Sequence, residues 1–333
     1  MENLQLSVII VSYNEGEYIK TCIDSCLSQK ESDGLEILIG DDCSSDNSLS
    51  IIKDYAQKYP QIIRYFTMSR DCSEPVIGSI RASNVIKTGL EKARGKYCLV
   101  LSADDYLCDD LFFYEAVRKL ESDADCPAVV AKSFKKVWSD NTERIFSMKE
   151  VSKRIYWSGM YTHVSCFVFR KALAVDNLLP RFCDDTGLQF SLMHGGKWRF
   201  LDLCPFCYRQ RDGSIMYESD ELELHILELM LLQDILNKEQ KRMPYISGGG
   251  ILSRFAVPLH YVFKNRSCLP TDKYKKYMQS CALFGNDILN DIAGYSTQPI
   301  LLRLKIDLFV KISLFYSFLF KVVRKLYSFL PCK

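Results

Sequence analysis

The chain has 333 residues, 48% of them hydrophobic and 25% charged, enough for one large globular domain with an appendage or for two modest domains. Its net charge of +2 is unevenly spread: residues 300–333 carry seven Lys/Arg against one acid, and the remainder carries 36 Lys/Arg against 40 acids. A mildly acidic body offers no basic surface for nucleic acid, and no uncharged stretch in the apolar tail approaches the roughly 20 residues that span a bilayer.

Taken in order, Leu6–Val11 is an apolar run of strand length. Asn14 is placed to cap a helix, with Glu17 as its capping-box partner, and Ile19, Cys22, Ile23, Cys26 and Leu27 give that helix one apolar stripe. Glu36–Gly40 is a second strand ending in Asp41-Asp42. Asp46 then caps a helix through Lys58. A third strand over Ile62–Met68 and a helix over Ile80–Ala93 follow. Gly95-Lys96-Tyr97-Cys98-Leu99-Val100-Leu101-Ser102-Ala103-Asp104-Asp105 is next, a buried strand that ends in adjacent carboxylates. Four strand-helix alternations predict a doubly wound, mostly parallel α/β sheet.

Beyond Asp110 the pattern predicts a helix to Leu120, a strand over Ala128–Phe134, a loop segment over 138–165, and a strand over Val164–Phe169. Asp184-Asp185 precede a helix through Met193. Past Ser214 the pattern is all-helical, over Glu221–Lys241, Ile251–Phe263, Lys273–Ile292 and Ile300–Phe329. The fourteen cysteines are read as free thiols of a reducing cytoplasm. Cys22 and Cys26 fall at helix-core spacing, Cys98 and Cys166 lie inside apolar strands, and Met1-Glu2-Asn3 lacks the basic start of a secretory leader. Cys204-Pro205-Phe206-Cys207 has redox-motif spacing but opens no helix after a first strand, and is read as packing.

Open α/β sheets bind ligands beyond the carboxyl ends of their strands, and two acids delivered there suit a hard divalent cation carrying phosphates. Four blocks sharpen this. Val8–Glu15, with its Tyr13-Asn14-Glu15 turn, resembles the opening strand of a family 2 glycosyltransferase of the GT-A fold. Glu36–Asp46 resembles that family's second strand and Asp-Asp-x-Ser-x-Asp turn. Gly89–Tyr97 is similar to its approach to the metal site. Asp184-Asp185-Thr186 with Gly195-Gly196-Lys197 resembles the acidic pair and glycine turn before Tyr208-Arg209. The blocks stand in the family's order over about residues 4–214.

The resemblance implies a nucleotide-sugar site built from Val11, Tyr13, Glu15, Asp42, Arg81, Asp104, Asp105 and Arg211. Tyr13 would stack on the donor base, Asp42 would accept a hydrogen bond from it, and Arg81 would face the diphosphate. Asp104 would hold Mn²⁺ or Mg²⁺. Asp185, or else Asp184, would be the base that activates an acceptor hydroxyl, with inversion at the sugar. Two departures from the family pattern stand out: Ser102 replaces the first acid of Asp-x-Asp-Asp, and Arg211 stands where relatives frequently show His. The resemblance thus implies a metal-dependent inverting transferase acting on a glycan or lipid-linked acceptor in surface polysaccharide assembly. The alternative is an inactive nucleotide-sugar-binding or scaffold protein. The turn after the first strand lacks Gly-x-Gly-x-x-Gly, which argues against a nicotinamide oxidoreductase.

The chain is divided into a catalytic domain over 1–215, a helical acceptor or packing region over 216–299, and a terminal helix over 300–333. Of those last 34 residues, 22 are apolar or aromatic. On a helix, Arg303, Asp307, Lys311, Ser313, Ser317, Lys321, Arg324, Lys325 and Ser328 share one arc, with Lys305 outside it. Such a helix would lie in the plane of an anionic membrane, here the inner face of the cell membrane. No nucleic-acid partner is expected, and a homodimer is left open.

Overall fold

The computed structural model describes residues 5–69, 77–147, 163–192, 195–211 and 220–239, with scattered positions from 258 onward. Its central sheet has seven strands in the order β10-β6-β9-β4-β1-β2-β3. These are β1 (Leu6–Ser12), β2 (Leu35–Asp41), β3 (Ile63–Thr67), β4 (Tyr97–Ser102), β6 (Ala128–Ala131), β9 (Phe167–Arg170) and β10 (Arg199–Leu201). β1 runs parallel to β2 and β4, and β2 parallel to β3. β9 alone is antiparallel to both its neighbours, β4 and β6.

The apolar runs are continuous because both faces of the sheet are covered. Val8, Ile10, Ile37, Ile39, Leu99 and Leu101 pack on one face with residues of α1 (Ile19–Leu27), α2 (Ser48–Lys58) and α4 (Phe112–Glu121). Ile9, Leu38, Cys98 and Val100 pack on the other, with residues of α3 (Gly78–Lys92), α5 (Lys171–Asp176) and α6 (Asp185–Leu192). After β1 the chain winds outward through β2 and β3, then returns to place β4 on the far side of β1. That reversal opens a crevice at the carboxyl ends of β1 and β4, where an open α/β sheet takes its ligand.

A second sheet joins β5 (Tyr106–Leu107), β11 (Phe206–Gln210), β7 (Ser133–Trp138) and β8 (Glu143–Ser147), in that order. It corrects three expectations. The strand expected over Ala128–Phe134 is two strands: Ala128–Ala131 is wholly buried in the central sheet, and from Ser133 the half-exposed chain pairs with β11 instead. Part of the expected loop over 138–165 is β8, a hairpin partner of β7. Val164–Cys166 is a 3-10 turn leading into β9.

The first helix also starts later than its capping signal. Asn14 has φ 54°, whereas a helix cap takes an extended backbone, so α1 begins at Ile19 with no side-chain cap. Asp46 does act at the start of α2, where its Oδ1 accepts from the Ser48 N–H at 2.9 Å and the Ser48 hydroxyl at 2.6 Å. α7 (Glu221–Glu239) belongs to a separate compact unit. The helices expected over Lys273–Ile292 and Ile300–Phe329 fall outside the described residues, apart from Lys311, which is helical. Among the described residues no helix is long and apolar enough to cross a membrane.

Candidate active site

The crevice floor is made by the turns after β1 and β2, which are tied to each other. The Asn14, Glu15 and Gly16 amides donate to Ser44 Oγ (2.9 Å), Ser48 Oγ (2.7 Å) and Asp46 Oδ2 (2.9 Å), and Asn14 Oδ1 accepts from the Ser45 N–H at 2.8 Å. A Cβ on Gly16 would displace the Asn47 side chain, so the two turns approach closely here. Tyr13 projects from the tip of β1 at 43% exposure. The half-buried Val11 accepts from the Ala103 N–H at 2.9 Å, joining β1 to the turn after β4.

Asp42 is buried, and Arg81 grips both its oxygens, Nε at 3.1 Å from Oδ2 and Nη2 on Oδ1. Arg81 therefore meets the very carboxylate assigned to the base. A charged, planar fork is the partner that lets a carboxylate remain ionised out of water.

The acids after β4 part company. Asp105 has no exposed surface; its Oδ1 accepts from the Arg209 N–H at 2.9 Å, and its Oδ2 has no hydrogen-bond partner. Burial first, and the Asp104 charge next, push its carboxyl well above the usual range. Asp105 thus braces β11 against the turn after β4 and presents nothing to a ligand. Asp104 faces Arg211, whose Nε lies 3.3 Å from Oδ2, and the Asp104 carbonyl accepts from Arg209 Nη1 at 2.6 Å. Arg211 Nη2 also pairs with Glu15 Oε1. Beneath the two guanidinium groups lies the Tyr18 ring, 4.8 Å from Arg211 and 5.2 Å from Arg209.

Glu15 and Asp104 thus share the Arg211 guanidinium, while Asp105 takes the Arg209 backbone amide. Among the described residues Glu15 Oε2 is buried without a hydrogen bond, and burial, followed by the Asp104 charge, pushes the Glu15 pKa up to about 8. Among the described residues no three His, Cys, Asp or Glu side chains form a closed metal cage. The donor set instead suits an open site for a hard cation, which takes one or two carboxylates and completes its shell with phosphate and water. Asp104 would hold such an ion, and the unpartnered Glu15 oxygen belongs to the same cluster.

Asp184 and Asp185 have different duties. Asp184 Oδ1 accepts from the Gly187 N–H at 2.9 Å, capping α6, while Asp185, the first residue of that helix, accepts from the Val164 N–H at 2.6 Å. Burial first, then the charges of Asp105, Asp104 and Asp185, push the Tyr208 phenol up to about 12. His163, absent from the sequence reading, is buried 4.6 Å from the Phe206 ring and 5.0 Å from Tyr208. Burial lowers its pKa against the pull of Asp185 and Asp104. Nothing around a lone histidine in the sequence signalled that place. Arg209, by contrast, was visible beside Tyr208 but had been given no role.

A family model described as "Glycosyl transferase family 2" matches residues 7–177, which include β1 through β9 and the carboxylates 42, 104 and 105. The chain belongs to glycosyl transferase family 2. An uncharacterised glycosyltransferase of Escherichia coli, YibD, is 36% identical over 121 residues, 36% of this chain and 32% of that protein. The poly(ribitol-phosphate) beta-glucosyltransferase of Bacillus spizizenii is 30% identical over 36% of this chain and 18% of its own. The matched segment spans under a third of the length of the first curated relatives. In fold, the chain resembles S. aureus TarS 1-349, solved in complex with UDP-GlcNAc, with a TM-score of 0.58 at 19% identity over 94% of this chain and 91% of that one. The fold is therefore GT-A, with a mostly parallel central sheet.

For this family 2 chain the buried acids set a pH dependence. Folded Glu15 keeps its proton to about pH 8, whereas its ordinary value is 4.5. Between those values the folded state binds a proton that the unfolded state has released, so stability falls as pH rises, by up to ~1.4 kcal/mol per pH unit for one group. Asp105 acts in the same direction. Thermal denaturation of the nucleotide-free protein is expected to show a lower midpoint at pH 8 than at pH 5.5. Glu15→Gln is expected to flatten that slope; an unchanged slope would remove Glu15 from the account.

Proposed function

We propose that this chain transfers a sugar from a nucleoside diphosphate sugar, a UDP-sugar before others, to a hydroxyl of a glycan or lipid-linked acceptor, with inversion, in surface polysaccharide assembly. The observation that carries the reading is the meeting of Asp104, Glu15 and Arg211 at the β1/β4 switch point. The TarS complex with UDP-GlcNAc and the poly(ribitol-phosphate) relative support donor and polymer respectively.

In this reading Tyr13 offers its exposed ring to the base, and Asp42, held by Arg81, accepts a hydrogen bond from it. The diphosphate lies against Asp104 and Arg211. Asp185, positioned by the Val164 amide, takes the acceptor hydroxyl's proton as that oxygen attacks the anomeric carbon and the bond to the diphosphate breaks. A divalent ion on Asp104, Mg²⁺ or Mn²⁺, would neutralise charge on the departing diphosphate. The basic amphipathic segment 300–333 docks the enzyme on an anionic membrane face, where lipid-linked acceptors reside.

A thermal-shift panel of UDP-, GDP-, CDP- and dTDP-sugars tests the reading, since a ligand of the native state raises the melting point with its affinity. One donor class is expected to raise it clearly above the others. A panel in which no nucleotide shifts the midpoint, with or without Mn²⁺, defeats the proposal.

A further inference from the structure

We infer that Arg211 is a cation built into the donor site, and that through it this chain binds a nucleoside diphosphate even where no divalent metal is present. The inference rests on the function proposed above and narrows it to how the diphosphate is held.

Arg211 directly follows β11, and its guanidinium reaches both sides of the switch point. It meets Glu15 beyond β1 through Nη2, and Asp104 beyond β4 through Nε at 3.3 Å. Asp104 is the carboxylate that an open cation site would use, so the guanidinium and a metal ion compete for one ligand. The side chain is 18% exposed and lies 4.8 Å from the face of Tyr18, which holds the fork in one plane. A planar guanidinium offers parallel N–H donors whose spacing matches two phosphate oxygens, something a spherical ion does through exchangeable waters instead.

With Arg211 and Arg209 in place against Glu15, Asp104 and Asp105, a bare divalent ion entering the cluster must sit beside a fixed positive charge or push it away. A diphosphate faces the opposite situation. It is repelled by the carboxylates and attracted by Arg211, and its oxygens carry enough charge to take over part of the fork. Arg209 cannot substitute, because its Nη1 donates to the Asp104 carbonyl at 2.6 Å and its guanidinium is stacked 4.6 Å from Tyr106. Arg211 therefore does for the diphosphate, at lower charge, what a resident ion would do.

Calorimetric titration with UDP, GDP, CDP and dTDP, in EDTA and in Mn²⁺, tests this on the full chain as wild type, Arg211→Ala and Arg211→Lys. The wild type is expected to bind one of these nucleotides in EDTA within about tenfold of its affinity in Mn²⁺. Arg211→Ala is expected to lose about tenfold or more in EDTA and to recover most of it in Mn²⁺, with Arg211→Lys between. Electron paramagnetic resonance of Mn²⁺ without nucleotide is expected to show tighter ion binding to Arg211→Ala than to wild type. Wild type that binds only in Mn²⁺, or an alanine variant equal to wild type in EDTA, overturns the inference and leaves the donor site standing. Failure of every nucleotide in both conditions overturns the site itself. Should Arg211→Ala not fold by circular dichroism, the wild-type comparison between EDTA and Mn²⁺ decides alone.

Discussion

Asp185→Asn is expected to lower sugar transfer by about 10²- to 10⁴-fold while leaving nucleotide affinity nearly intact. The amide oxygen of asparagine can still accept from the Val164 N–H, now 2.6 Å from Asp185 Oδ1, so the helix start and the turn before β9 keep their contact. What is lost is the capacity to take a proton. Product formation measured beside calorimetric UDP binding separates the two effects, and an equal loss of both would show that Asp185 holds the donor instead. Asp184→Ala supplies the contrast. Its oxygen caps α6 through the Gly187 amide, so its removal should cost about 1 kcal/mol of stability and change the rate little.

Arg81→Ala should produce a large loss of stability at this site, about 3–5 kcal/mol, because it takes the guanidinium away from a buried carboxylate. Asp42 is 3% exposed and both its oxygens lie on the Arg81 guanidinium. Urea denaturation at pH 7 measures the loss. Adding Asp42→Asn to Arg81→Ala should restore much of it, since a neutral amide at that place no longer needs a counter-charge. A single variant as stable as wild type would mean that the pair is solvated and contributes no more than an exposed ion pair.

Much of the N-terminal half was legible. The runs Leu6–Val11, Glu36–Gly40 and Tyr97–Leu101 read as strands because burial on both faces leaves no room for alternation with polar residues, and the acids after two of them marked the ligand edge. Legibility failed where local signals served another purpose. Asn14 and Glu17 have a capping box's spacing, but Asn14 is turned to φ 54° to receive the Ser45 amide. Lys132 interrupts an apolar run at the point where the chain leaves one sheet for the other, and a propensity reading carries straight through it.

The residues' order along the chain determined the α/β alternation, the family and the positions of the acids, since each depends on neighbours a few residues apart. Which cation answers which acid was decided only by the fold. Asp42 and Arg81 are 39 residues apart, Asp105 and the Arg209 amide 104, and Glu15 and Arg211 196. No periodicity connects such distances. Burial also separated Asp104 from Asp105, two identical side chains in succession: the sheet turns one inward to brace a strand and leaves the other at the crevice, where the charge balance of the site is set.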